Sequence, residues 1–195
     1  MPTRYSAQDA ANTAVRAFLT EIAKGYSKGQ IYNRASRSGK AIWDRIFTAF
    51  SGECAYCGVK NEREKLTVEH LIMFNWKECG LHLPGNTVPA CRRCNKRGKD
   101  AGRYHTWEEH LRRICSEHKE KHLVGPRRRK ILAHFKHFEY PSISQKEVGV
   151  IRDSAKSLYE SVTDDVETAC KDHRALIMRL SRRVQGSASA LKKSV

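Results

Sequence analysis

The chain has 195 residues, 39% of them apolar and 30% charged, so it can bury the core of one domain with appendages, and disorder throughout is excluded. Its 37 lysines and arginines outnumber its 21 aspartates and glutamates and leave a formal charge of +16. This excess predicts a polyanionic partner, nucleic acid first, with a merely basic surface or an anionic membrane as the alternative. No apolar run approaches the ~18 residues of a spanning helix, and residues 1 to 13 lack a signal-peptide core, so we expect a cytoplasmic protein that does not enter a membrane.

Two helices are predicted in the first quarter of the chain. Residues 6 to 24 space apolar side chains as one helix face does, and Gly25 is a suitable end. A second helix is predicted within residues 38 to 52, where Gly52 stands at the position of a C-terminal cap. Its apolar stripe predicts a side that faces the core and consists of Trp43, Ile46, Phe47 and Phe50.

Residues 53 to 105 have a different character. Cysteine, glycine, asparagine and proline punctuate this stretch, which holds only two short β-like runs, LTVEHLI and NTVPA. So little apolar material predicts a small, loop-rich unit that needs a metal to stay folded.

Four of the seven cysteines form two matched CxxC pairs. Cys54 and Cys57 make the first pair (CAYC), and Cys91 and Cys94 make the second (CRRC). Four thiolates form a closed tetrahedral site, which is typical of structural Zn²⁺.

The remaining cysteines are Cys79, Cys115 and Cys170, and they carry a weaker signal. Cys115 shares a predicted helix face with His118 and His122, so these three residues could begin a second metal site. No fourth ligand is evident, and a partly buried thiol beside solvated histidines is the alternative.

The second half of the chain is predicted to be helical. Thr106 and Glu109 resemble a capping box that opens a helix over residues 107 to 123, and Pro126 then predicts a basic loop, GPRRRK. From Ile151 to Val184 apolar positions recur at steps of three or four, as in one long helix or a helical pair.

This last region admits two interpretations. It packs on its own chain, or it is an arm that forms a dimer or holds DNA through Arg179, Arg182 and Arg183. Residues 186 to 195 have the composition of a flexible basic tail.

Glu69 and His70 stand side by side at the end of a predicted strand. An imidazole that titrates near neutral pH can take a proton from water, and a carboxylate is a hard oxygen ligand for an ion such as Mg²⁺. Within a cysteine-stapled, basic unit, this pair predicts a hydrolytic metal site rather than a chance surface pair.

These motifs together resemble the HNH endonucleases of the ββα-metal superfamily. CAYCG, TVEHLI, GNTVPACRRCN and KRGKD follow the family's order and approximate spacing across residues 43 to 103. The resemblance implies an α+β protein with a zinc-stapled ββα-metal core between N-terminal and C-terminal helices. It assigns residues 1 to 52 to a helical region, 53 to 105 to the nuclease core, and 106 to 185 to a helical DNA-binding or dimerisation region.

The resemblance also implies roles for individual residues. His70 matches the general base, Glu69 the metal ligand before it, Asn86 the asparagine that braces the loop between the strands, and Asn95, on a following helix, the second metal ligand. Glu69 replaces the commoner aspartate, and Met73 stands where proline is common. Lys99 lies where some relatives have a histidine ligand, which predicts an oxygen-rich, Mg²⁺-like site.

The implied function is hydrolysis of DNA phosphodiesters to 5′-phosphate and 3′-hydroxyl ends, as in a restriction-type or mobile-element enzyme acting on double-stranded DNA, with a homodimer as one possible assembly. A nickase, a ribonuclease and a zinc-stabilised nucleic-acid-binding protein without catalysis remain the alternatives. Six basic residues near the second cysteine pair are expected to contact DNA phosphates. These residues are Arg92, Arg93, Lys96, Arg97, Lys99 and Arg103.

Overall fold

The computed structural model describes residues 6–27 and 36–191, with side chains described as far as residue 181. This part of the chain is an α+β structure, as the sequence predicts. Its α-helices are α1 (Ala7–Tyr26), α2 (Arg37–Ala49), α3 (Trp107–Glu117), α4 (Val124–His137) and α5 (Gln145–Leu191). Its strands are β1 (Leu66–His70), β2 (Thr87–Cys91), β3 (Lys99–Asp100) and β4 (Arg103–Tyr104).

The two ends of the chain pack together as α1 and α5. Ser6 and Asp9 close a capping box that fixes where α1 begins. Ser144 and Glu147 make the equivalent contacts before α5, with the Ser144 N–H donating to the Glu147 carboxylate at 2.9 Å. The apolar faces of the two helices bury a cluster that also takes in the loop after β1: Val15, Leu19, Ala23, Cys79, Leu81, Leu83, Ile151 and Ala155.

A second core lies between the β1–β2 hairpin and the helices α2, α3 and α4. The predicted stripe of α2 supplies Trp43, Ile46 and Phe50 to this core, all 1% exposed or less. Strands β1 and β2 pair antiparallel, with His70 opposite Thr87 and Leu66 opposite Cys91. The strands therefore pack on this core, whereas the loop between them packs on the α1–α5 cluster.

The chain after β2 differs from the expectation drawn from the resemblance. Asn95, expected on a helix, lies in a tight turn closed by a hydrogen bond from its N–H to the Cys91 carbonyl at 2.9 Å. The two-residue strands β3 and β4 then form a small antiparallel hairpin, and the next helix is α3. The sequence RRCNKRG has many like charges and no apolar stripe to bury, so it gains nothing from a helical conformation.

The structure around Pro126 also differs from the prediction. The predicted basic loop is part of α4, and Pro126 lies in the first turn of that helix. Backbone N–H groups in a first helical turn have no intrahelical acceptor, so proline costs little there. The preceding helix α3 ends at Glu117, earlier than predicted, and Lys119 then adopts a left-handed conformation with φ of 59°.

Helix α5 packs on its own chain near its start, and its distal part is exposed. Ile151 and Ala155, near its start, are buried against α1, whereas Leu176 and Leu180 are 52% and 47% exposed. The helix is continuous to Leu191, but the side chains of Arg182, Arg183 and Val184 lie outside the described part. None of the described helices has the length and apolar content required to cross a bilayer.

The α1–α5 contact gives a prediction about stability. Leu19→Ala removes a side chain that is 0% exposed, and we expect it to lower the free energy of unfolding by about 2–5 kcal/mol. Leu176→Ala is the matched control, since that leucine is half exposed, and a change within about 0.5 kcal/mol is expected. Urea denaturation followed by circular dichroism measures both values. Equal losses from the two variants would mean that the α1–α5 contact contributes nothing to folding.

Candidate active site and metal centre

The four predicted cysteines form one cluster. The sulfur atoms of Cys54, Cys57, Cys91 and Cys94 all lie within 4.8 Å of one another, and the structure contains no other cluster of this kind among the described residues. The Cys57 and Cys91 sulfurs, from different CxxC pairs, are 3.9 Å apart. Four sulfurs at this spacing are the donor set of a closed tetrahedral metal centre, for which Zn²⁺ is the typical occupant.

Backbone turns bring these sulfurs together. The N–H of Gly58 donates to the Cys54 carbonyl at 2.9 Å and closes the first turn, as the N–H of Asn95 closes the second. Hydrogen bonds among the thiols lower the pKa of Cys54 and raise the pKa of Cys57 and of Cys94, so the Cys54 thiolate is the one that its neighbours stabilise.

One side chain from α3 and one from α4 donate hydrogen bonds to backbone carbonyls of the two cysteine turns. His110 donates from Nε2 to the Cys94 carbonyl at 2.7 Å, and its ring is fully buried. Arg127 donates to the Cys57 carbonyl at 3.0 Å and to Glu120 at 2.8 Å. Neither contact was predicted, because the partners lie 16 and 70 residues apart in sequence.

The possible second metal site at Cys115 is not formed. Cys115 is buried and accepts a hydrogen bond from Arg127 at 3.3 Å, whereas His118 and His122 are exposed. Helix α3 ends at Glu117, so the shared helix face on which the prediction depended does not exist. The buried-thiol alternative is therefore the correct one.

An open cleft of about 800 Å³ lies at the end of β1. Glu69, His70 and Asn95 all line it, so the structure brings these three predicted residues together. Helices α1 and α5 contribute Asn12, Arg16 and Tyr159, which lie outside the predicted nuclease core of residues 53 to 105.

His70 is held by two aromatic partners that the sequence analysis did not identify. Its Nε2 lies 2.8 Å from Nδ1 of His82, and the Phe74 ring stacks on it at 4.9 Å and 23°. Burial, with the nearby His82 and Arg16, lowers the pKa of His70 to about 3. The imidazole is therefore neutral at physiological pH, which is the form that accepts a proton.

Arg97 occupies a position that differs from its predicted one. Its side chain is only 3% exposed and its Nε donates to Glu69 at 2.8 Å. The guanidinium also donates to the His70 carbonyl and, at 3.4 Å, to the Tyr56 hydroxyl. The prediction of a DNA phosphate contact is wrong for Arg97, because the buried Glu69 carboxylate needs a partner and draws the guanidinium inside.

The same ion pair sets the chemistry of Glu69. Burial raises the pKa of this carboxyl, and the Arg97 guanidinium opposes that shift. A carboxylate that Arg97 already partly neutralises is a weaker ligand for a cation than a free one.

Two asparagines make hydrogen bonds that hold segments next to β1. Asn86 is 0% exposed and bridges the loop between the strands: it accepts from the Ile72 N–H at 2.7 Å and donates to the Ile72 and Leu81 carbonyls, each at 2.9 Å. The same loop needs Gly80, since a Cβ there would lie 2.0 Å from the Ile72 carbonyl oxygen.

Asn95 donates from Nδ2 to the Thr67 hydroxyl at 2.8 Å, which fixes its amide beside β1. Among the described residues the structure records no hydrogen bond to its Oδ1. Asn95 is one of the residues that line the cleft.

The other predicted phosphate contacts lie on the surface. Arg103 and Arg93 pair with Glu109 at 3.0 Å and with Glu117 at 3.2 Å, so part of their charge is already compensated. Arg92, Lys96 and Lys99 are exposed, and Lys99 also lines the cleft.

The cysteine cluster gives a prediction about metal content. Cys57→Ser and Cys91→Ser each remove one of four ligands, so we expect loss of bound zinc and unfolding of the central unit. Cys170→Ser is the control, because that cysteine is exposed and lies outside the cluster. Atomic absorption with circular dichroism measures both properties, and a zinc-free Cys57→Ser protein that keeps its fold would rule out a structural metal.

Comparison with known proteins agrees with this geometry. The family model described as "HNH endonuclease" matches residues 54–100, a segment that begins at the first cysteine of the cluster and contains β1, β2, Asn86 and Asn95. Searches of curated proteins and of solved structures returned no significant match to the chain. Residues 54–100, which contain the four clustered cysteines and the Glu69–His70 pair of the open cleft, are therefore similar to the HNH endonuclease family.

Proposed function

We propose that the protein is a metal-dependent endonuclease that hydrolyses phosphodiester bonds in DNA, with His70 as the general base. The observation that carries the proposal is the position of the His70 imidazole in an open cleft whose lining also contains Glu69 and Asn95, in a chain of formal charge +16. A neutral imidazole can take the proton of an attacking water. A binding protein without catalysis needs the cysteines and the basic charge but not this constellation.

The cleft also fits a hard divalent ion such as Mg²⁺. Glu69 and Asn95 offer one carboxylate and one unpaired amide oxygen, and Mg²⁺ is commonly held by one or two protein oxygens and several waters. These two residues would hold the ion, which would stabilise negative charge on the phosphate during attack. Arg97 competes for one oxygen of Glu69, so we expect weak binding of the ion without substrate.

Other side chains of the cleft would orient the base and bind the substrate. Phe74 and His82 fix the ring plane of His70, which keeps its proton-accepting nitrogen in one orientation. Arg16, Lys77 and Lys99 line the same cleft and would hold the phosphates that flank the scissile bond. Attack by water in line with the 3′ oxygen yields 5′-phosphate and 3′-hydroxyl ends.

Cleavage of both strands of a DNA duplex needs two such sites or two successive binding events, because one base and one ion cut one strand at a time. We propose a restriction-type enzyme that acts on double-stranded DNA as a homodimer. The exposed apolar residues of the distal part of α5, Leu176, Ile177 and Leu180, support a contact between subunits.

The base assignment predicts the effect of His70→Ala. Plasmid cleavage should fall by about 10²- to 10⁴-fold, the usual loss when a general base is removed, while DNA binding persists. His122→Ala is the matched control, because that histidine is exposed and does not line the cleft. Initial rates on supercoiled plasmid and gel-shift titrations provide the two measurements.

The same plasmid assay separates the alternatives. Cleavage by His70→Ala close to that of the parent protein contradicts the assignment. Linear product formed without accumulation of nicked circles supports paired subunits, and light scattering that finds a monomer on DNA, with nicked circles as the sole product, contradicts the homodimer.

The metal assignment predicts a contrast between two substitutions of one residue. Asn95→Ala removes the amide oxygen and should abolish the response of cleavage to Mg²⁺, whereas Asn95→Asp keeps an oxygen, adds a charge and should retain that response. Zinc content should be unchanged in both variants, since Asn95 is not in the cysteine cluster.

Asn95 serves this test better than Glu69. Glu69→Ala would leave the Arg97 guanidinium buried without its partner, and loss of one member of a buried pair costs about 3–5 kcal/mol. An unchanged Mg²⁺ dependence in folded Asn95→Ala would show that this residue does not hold the ion.

A further inference from the structure

The cleft around His70 has an aromatic wall that hydrolysis alone does not require. Besides Phe74, its lining contains three aromatic side chains from three different parts of the fold. These are Trp76 in the loop after β1, Tyr104 at the end of β4 and Tyr159 in α5. Trp76 lies within residues 54–100, whereas Tyr104 and Tyr159 lie outside this range, so only part of the wall belongs to the segment that matches the HNH model.

Phe74 differs from these three rings, because it already stacks on two histidines. Its ring stacks on His70 at 4.9 Å and on His82 at 5.4 Å. Trp76 and Tyr159 pair with each other instead, with ring centroids 5.9 Å apart and planes inclined at 37°.

The α1–α5 cluster supports the Trp76–Tyr159 pair. Both rings are half-buried and pack against the α1–α5 cluster, which contains the fully buried Leu19, Leu81 and Ala155. A ring surface fixed in this way loses little side-chain entropy when a flat ligand stacks on it.

Cations lie over or beside these rings. The Lys77 ammonium is 5.3 Å from the Trp76 centroid, and the Lys99 ammonium is 4.2 Å from the Tyr104 centroid. Arg16 reaches the same cleft from α1 and is close enough to His70 to lower the pKa of that imidazole. Aromatic rings combined with basic side chains in one groove are typical of sites for unpaired nucleotides, where bases stack and phosphates meet cations.

A regular duplex cannot use such a wall. Its phosphates are accessible, but its base faces are stacked on one another, so a base reaches an aromatic ring only when it is unpaired or turned out of the helix. A cleft of about 800 Å³ lies in the size range of about 300–1,000 Å³ of pockets that enclose small ligands, so it has room for one nucleotide.

We propose that Trp76 and Tyr159 form a stacking site for one unpaired nucleobase next to the phosphodiester at His70. This inference rests on the proposed nuclease function for its substrate class, and it adds that, within double-stranded DNA, a site with an unpaired or extruded nucleotide binds more tightly than a fully paired site. The α1–α5 pair thereby contributes substrate preference to a catalytic segment that it flanks in sequence.

Binding to three DNA probes tests the proposal without relying on cleavage. The His70→Ala protein is titrated with a paired duplex, with the same duplex carrying one unpaired 2-aminopurine, and with the single strand. We expect the bulged duplex to bind about 5- to 100-fold more tightly than the paired one, which corresponds to the ~1–3 kcal/mol of one base–aromatic stack. The 2-aminopurine emission should be quenched on binding, because the base stacks on Trp76 and Tyr159.

Variants of Tyr159 assign the effect to the ring. Tyr159→Ala should remove the preference for the bulged duplex, whereas Tyr159→Phe keeps the ring and should retain it. The intrinsic fluorescence of Trp76 gives a second signal, since Trp43 is 0% exposed in the core and Trp107 is partly buried against the same core. Quenching by the bulged duplex that disappears in Trp76→Phe locates the base at this wall.

The possible outcomes separate this inference from the proposed function. Equal binding of paired and bulged duplexes, with unquenched 2-aminopurine, overturns the stacking site even if the parent protein cuts DNA. A preference for the bulged duplex that depends on Tyr159 supports the stacking site even if no cleavage is found. If Tyr159→Ala fails to fold, the 2-aminopurine signal with the His70→Ala protein decides alone.

Discussion

The convergence of four cysteine sulfurs is the constraint on which the rest of the site depends. Cys54 and Cys57 lie just after α2, and Cys91 and Cys94 lie at the end of β2, yet all four sulfurs fall within 4.8 Å. The second pair is followed at once by Asn95, so the cluster also sets where this residue meets β1. His110 and Arg127 extend the constraint to α3 and α4, because each of them bonds a backbone carbonyl of one cysteine turn.

A second constraint is the buried pair between Arg97 and Glu69. A chain of formal charge +16 can keep nearly all its cations in water, and burying one costs free energy unless several acceptors surround it. The Arg97 guanidinium donates to three acceptors, which are the Glu69 carboxylate, the His70 carbonyl and the Tyr56 hydroxyl. This network ties the turn after β2 to the end of β1, and so orients the backbone that carries both site residues.

The cleft itself is a product of the whole chain rather than of residues 54–100. Strand β1 supplies Glu69 and His70, whereas α1 and α5 supply Arg16 and Tyr159 to the same lining. Helix α5 changes role along its length: its first part completes a core with α1, and its exposed distal part presents apolar side chains to solvent. The flanking helices therefore hold the loop that contains His82 and Trp76, and they also shape what the cleft can accept.

The sequence by itself determined the local features. The CxxC spacing identified the four cysteines that cluster, helical periodicity located α1, α2 and α5, and the order of short motifs placed Glu69, His70, Asn86 and Asn95 around the β1–β2 hairpin. These signals depend on neighbours a few residues apart, which periodicity and spacing report directly. Pro126 misled the prediction because its effect depends on its position within a helix that composition does not reveal.

Contacts between distant segments were decided only by the tertiary structure. A basic run does not show which of its arginines turns inward, so the burial of Arg97 against Glu69, 28 residues away, could not be read from it. The partners of His70 likewise come from a loop whose path is set by Asn86 and Gly80, and the aromatic wall joins residues more than 80 positions apart. Such pairings are selected by the burial and hydrogen bonding of the complete chain, because a charge or a ring finds its partner only once the surrounding elements are packed.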